Sequence, residues 1–149
     1  MKKTAILGIL GVAMVSAACS LSQDDFVVTG GHEGQWPAMY VTFKKTPSAQ
    51  LLLALKLLCN NSGACVLSEM KKRMPSFGIA GWGQAEYDDA LDPQYGDQIR
   101  DAINAVRSVN EPAACVRVAL WKSVGWGVYT NVRWYATNDN CEAGGDFNR

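Results

Sequence analysis

The chain has 149 residues, enough for one domain of ordinary size and too few for two. Its 48% apolar and 19% charged content excludes intrinsic disorder, a collagen-like repeat and a coiled coil. Fourteen basic side chains balance fourteen acidic ones, so no basic excess is available to hold nucleic acid.

The first elements in chain order form an address. Met1-Lys2-Lys3 is a positive n-region, Ala5 to Val15 is an uncharged and mostly apolar run, and Ser16-Ala17-Ala18 adds small residues behind it. That order predicts a secretory signal peptide over residues 1–18. Its eleven apolar-run residues would rise only about 16 Å as a helix, about half a bilayer core and too short for an ordinary span. Val15-Ser16-Ala17-Ala18-Cys19 resembles a bacterial lipobox, in which the cysteine becomes the lipidated first residue, although Ser16 stands where such boxes usually carry Leu. Ser16-Ala17-Ala18 also suits ordinary signal peptidase cleavage. Parity favours the lipobox: five cysteines leave an odd thiol in an oxidising compartment, whereas lipidating Cys19 leaves four. Ser20 after that cysteine resembles the outer-membrane sorting pattern of Gram-negative lipoproteins. The expected location is therefore the outer membrane, facing the periplasm, with a free periplasmic or secreted protein as the alternative. Losing Lys2 and Lys3 leaves twelve basic against fourteen acidic side chains, a balance unsuited to capturing nucleic acid or anionic headgroups.

Residues 19–35 are largely polar and end in Gly30-Gly31-His32-Glu33-Gly34-Gln35, which reads as a flexible tether before a single domain over 36–149. Met39 to Phe43 is rich in β-formers and predicts a strand. Thr46-Pro47 supplies a cap and a first-turn proline for a helix whose segment Ala49 to Cys59 carries six leucines, apolar nearly all round and expected to be buried centrally. Asn60-Asn61-Ser62-Gly63 stops that helix, and Ala64 to Leu67 reads as a second strand. Asp92-Pro93 opens another helix, with Tyr95, Ile99, Ala102, Ile103, Val106 and Val109 close to 3.6 spacing. Cys115 to Trp121 and Trp126 to Ala136 read as an antiparallel hairpin. The two halves rhyme in caps and cysteines, which suggests a duplication or two convergent αβ units. Either way the order is β-α-β-(irregular)-α-β-β. This predicts an α+β fold, a small and mostly antiparallel sheet with two helices on one face.

Catalytic signals are thin. His32 is the sole histidine, so multi-histidine zinc sites are excluded, and its glycine-rich setting marks it as a solvent-exposed residue rather than a base. No nucleophile elbow or phosphate loop occurs, and no cofactor is implied. Glu86-Tyr87-Asp88-Asp89-Ala90-Leu91-Asp92 gathers four carboxylates in seven residues, which could serve a glycan hydrolase but lacks a calcium-loop spacing and reads more simply as an acidic turn. The spacing of Cys59, Cys65, Cys115 and Cys141 does not suit zinc, and the expected crosslinks are Cys59–Cys65 and Cys115–Cys141.

The hairpin's alternation assigns Val116, Val118, Leu120, Trp126, Val128, Val132 and Trp134 to the core. The other face collects Arg117, Trp121, Tyr129, Asn131, Arg133 and Tyr135, residue types enriched at recognition hot spots. This pattern leads to a non-enzymatic envelope protein that binds a protein or glycan partner as an inhibitor or accessory factor. A hydrolase using the carboxylates of 86–92 and a purely structural lipoprotein are the alternatives. A further alternative covers this face with a helix or with segment 84–92, its arginines paired to Asp88 or Asp89.

Overall fold

The computed structural model describes residues 21, 23–74, 82–108, 114–122 and 130–141. The expected signal peptide, Cys19, Tyr129, Val109, Trp126 and Val128 lie outside the described residues. Four strands form one antiparallel sheet in chain order: β1 (Phe26–Glu33), β2 (Trp36–Phe43), β3 (Cys115–Lys122) and β4 (Thr130–Thr137). Between β2 and β3 run α1 (Lys45–Leu53), extended by one π-type turn (Ala54–Leu58), then α2 (Gly63–Arg73) and α3 (Gln84–Ala90). A short turn (Pro93–Tyr95) leads into α4 (Gly96–Ser108). The fold is α+β as expected, and both disulfides form as expected, Cys59–Cys65 and Cys115–Cys141.

Three elements depart from the sequence expectation. Residues 26–33, placed in a tether, form edge strand β1 and pair with all of β2 from Phe26↔Phe43 to Glu33↔Trp36. The connection is the two-residue turn Gly34-Gln35, with Gly34 at φ 62°, the positive value that primed hairpin turns need at their first position. Residues 64–67, expected as a strand, belong to α2. Ser62 caps that helix by accepting the Cys65 N–H at 3.2 Å, and Val66, Leu67 and Met70 bury one helical stripe. Local β propensity yields there to a cap and a helical apolar period. The leucine-rich helix is peripheral rather than central: Leu51, Ala54 and Leu55 are buried, but Leu53 and Leu57 are 39% and 57% exposed. The rhyme between halves does not extend to structure, since 64–66 is helical and 115–116 is strand. The caps differ too. Asp92 accepts the Gln94 N–H at 3.0 Å, whereas α1 begins at Lys45 with no side-chain cap.

One face of the sheet is closed by the helices. Phe26, Val41, Phe43, Val116, Val118, Leu120 and Trp134 point inward and join Leu51, Leu55, Val66, Met70, Leu91, Ile99 and Ile103 in one core. Each such side chain contributes roughly 1.5–3 kcal/mol through burial, so this face holds the molecule together. Trp134 ties four elements at once. Its ring lies 5.9 Å from that of Phe43, its indole N–H donates to the Ala90 carbonyl at 3.0 Å, and its backbone N–H donates to Gln98 Oε1 at 2.6 Å. The last bond also occupies a backbone donor of edge strand β4. Ser48 Oγ joins α1 to the sheet by donating to the Phe43 carbonyl at 3.1 Å and accepting the Val116 N–H at 3.0 Å.

Helices α2 and α4 meet backbone to backbone at their first residues. A Cβ on Gly63 would stand 2.5 Å from the Gly96 carbonyl oxygen, while one on Gly96 would reach Gly63 backbone only at 3.2 Å. Elsewhere in a helix Gly→Ala gains up to about 1 kcal/mol. Here Gly63→Ala is expected to lose about 1–3 kcal/mol through overpacking, and Gly96→Ala less, as measured by denaturant unfolding with the disulfides intact. Stabilisation by Gly63→Ala would contradict the close crossing.

Candidate outer-face site

The opposite face of the sheet is where the recognition-type residues stand. Register places Arg117 beside Thr42 and Tyr135, Ala119 beside Tyr40 and Arg133, and Trp121 beside Ala38 and Asn131. Alternation adds Trp36 from β2 and Glu33 from β1. Among the described residues no helix lies on this face. Trp36, Tyr40, Trp121, Asn131 and Tyr135 are half-buried, and the Arg133 side chain is 52% exposed. The expected face assignment of Arg117, Trp121, Asn131, Arg133 and Tyr135 therefore matches the register. Trp36, Tyr40 and Glu33 join this face beyond the expected set, and the sequence signs of the first hairpin that carries them are Phe26-Val27-Val28-Thr29 and the Gly34-Gln35 turn.

The side chains are braced from edge to edge. Tyr40 on β2 leans across β1 above Gly31, where an added Cβ would stand 2.5 Å from Tyr40 Cε2. Its hydroxyl donates to the Glu33 carboxylate at 2.5 Å and approaches the His32 carbonyl at 3.0 Å. Arg133 on the far strand reaches the same Glu33 at 3.2 Å, passing over the small Ala119. Its guanidinium also lies 4.5 Å from the Tyr135 ring centroid. Arg117 serves a different purpose. Only 7% exposed, it donates to Thr42 Oγ1 at 2.8 Å and to the Asp139 carbonyl at 2.9 Å, with its guanidinium 5.2 Å from the Tyr40 ring. The Cys115–Cys141 bond pins the 138–141 turn at that end, so Arg117 supports the surface from beneath.

At the other end of the sheet a groove of about 380 Å³ opens between Pro37, Ala38, Met39, Leu120, Trp121, Lys122 and Glu86. Trp121 thus belongs to both the outer face and the groove. Segment 84–92 does not cover the outer face: Ala90 and Leu91 are fully buried in the core, and the arginines pair with Glu33 and the Asp139 carbonyl rather than with Asp88 or Asp89. Its carboxylates are largely structural. Glu86 accepts the Gly83 N–H at 2.9 Å at the start of α3, Asp88 accepts from Gln84 at 2.8 Å, and Asp92 is a cap. Glu86 is the one carboxylate among the described residues of the groove. His32 is exposed on β1, and no described group of three His, Cys, Asp or Glu side chains converges to hold a metal. The chain matches no protein-family model, no curated protein and no solved structure.

The brace has a spectroscopic signature. Donation to Glu33, then burial and the nearby negative charge of Glu33, push the Tyr40 phenol from 10.0 up to about 12. Below pH 10 the phenol is protonated in folded and unfolded chains alike. Between about 10 and 12 only the unfolded chain ionises it, so this support for the fold fades as pH rises through that window. In an absorbance titration of the five tyrosines, Tyr40→Phe should remove the phenolate that appears near pH 12. Gly31→Ala should displace the Tyr40 ring and move that step down toward 10. Loss of an ordinary tyrosine step in Tyr40→Phe would contradict the Tyr40–Glu33 bond.

Proposed function

We propose that this is an exported cell-envelope protein, anchored through lipid at Cys19, that binds a partner on its braced sheet face and acts as an inhibitor or accessory factor. One observation carries the reading. The helices enclose one side of the sheet, while the other presents Trp36 and Trp121 beside Tyr40, Arg133 and Tyr135, the last three held by contacts with Glu33 and with one another. Aromatic and arginine side chains held in place before binding lose little entropy on contact, which is the property of recognition hot spots. Arg117, included in the recognition set on sequence, acts in this reading as a positioning residue. Two disulfides agree with an oxidising compartment.

A protein partner suits the face better than a glycan. Its outward-facing groups combine an exposed cation with a half-buried amide and several half-buried aromatics on a four-stranded surface rather than in a closed cleft. The hydrolase alternative has less support: glycoside hydrolysis requires two opposed carboxyls, and the groove brings one, already engaged at a helix start.

Trp121→Ala and Tyr135→Ala should each weaken capture of an envelope partner by about 1–2 kcal/mol in binding free energy, with little change in melting temperature. Pull-down from envelope extracts, followed by titration calorimetry with the recovered protein, reads both effects. Normal binding by folded variants that have lost stability would place these aromatics in a structural layer and the site elsewhere.

A further inference from the structure

The proposed lipid anchor meets a domain that begins almost at once. Leu21, two residues beyond Cys19, is 4% exposed and belongs to the core. Its N–H donates to the Arg73 carbonyl at 2.9 Å, at the last residue of α2. The next turn, Gln23–Asp25, leads directly into β1, where Phe26 is buried against Phe43 with ring centroids 4.9 Å apart. Among the described residues of this stretch, Leu21 and Phe26 are docked in the core and none forms a tether. Two residues of fully extended chain span at most about 7 Å.

We infer that the domain sits directly on the bilayer surface, with the C-terminal turn of α2 at the headgroups. The inference rests on the lipid anchor of the proposed function and adds what that reading leaves open, namely which part of the domain faces the membrane. Lys71 and Lys72 are exposed on that turn, and Lys71 forms no ion pair among the described residues. The force is tether length rather than charge. Exposed Asp24 lies nearby in sequence, Lys72 is already paired with Glu69 at 3.2 Å, and the mature chain is slightly acidic. The acyl chains embedded below Cys19 cannot leave the bilayer without their hydrophobic cost, and Leu21 cannot move away from Arg73 without undocking from the core. Together these hold the end of α2 within about 10 Å of the interface.

The test uses the full lipidated chain in vesicles of phosphatidylethanolamine and phosphatidylglycerol, with intact mass reporting the lipid. A membrane-impermeant amine reagent labels Lys71 and Lys72, and peptide mass spectrometry reads each site against the soluble Cys19→Ser protein. Labelling of both lysines should fall several-fold in vesicles. Ten Gly/Ser residues inserted between Ser20 and Leu21 add about 17 Å of flexible reach and should restore it. Equal labelling of lipidated and soluble protein would overturn the membrane-seated end while leaving the anchor in place. Protection that survives the spacer would overturn it as well. An unmodified Cys19 would overturn the anchor and this inference together.

Discussion

Trp134 is the side chain on which the two faces of the sheet depend. Its indole is buried in the core against Phe43, its N–H satisfies the buried Ala90 carbonyl, and its backbone binds Gln98. A large aromatic with both polar groups paired fixes β4 against β2, α3 and α4 without leaving a desolvated donor, the arrangement a buried tryptophan needs. Because successive strand residues alternate, fixing Trp134 inward fixes Arg133 and Tyr135 outward. A slip of one residue would exchange the apolar and polar sets, so the core that stabilises the molecule also specifies which residues face a partner.

The outer face is ordered by weaker forces. The Arg133–Glu33 pair is largely solvent-exposed and is worth at most about 1 kcal/mol. Its importance is geometric. One carboxylate receives a phenol from β2 and a guanidinium from β4, so Tyr40 and Arg133 have positions that neither strand alone would impose. Gly31 and Ala119 supply the space over which those long side chains lie. The same logic separates the two arginines: Arg117 is held beneath the 138–141 turn, and Arg133 remains available at the surface.

Much of this was legible in the sequence wherever a pattern and a covalent constraint agreed. The hairpin's two faces followed from alternation, the disulfides from spacing, and the capped turn that leads into α4 from Asp92-Pro93. Where the reading departed, a local signal had a second use. Glycines at 30–31 suggested a loop, but Gly31 makes room for Tyr40. Cys65-Val66-Leu67 suggested a strand, but Ser62 caps a helix there. Six leucines suggested central burial, but α1 sits at the periphery and leaves Leu53 and Leu57 in solvent. The Glu33 brace joins residues 100 positions apart, and no local pattern announces such a contact.

If the braced sheet face, and not the helical side, is the working surface, partner binding must shield it. Hydroxyl-radical footprinting of the purified protein, alone and saturated with its captured envelope partner, tests it most directly. Oxidation of Trp121 and Tyr135 should fall on binding, while the exposed Leu53 and Leu57 react as before. Protection of Leu53 and Leu57 with Trp121 and Tyr135 unchanged would contradict it.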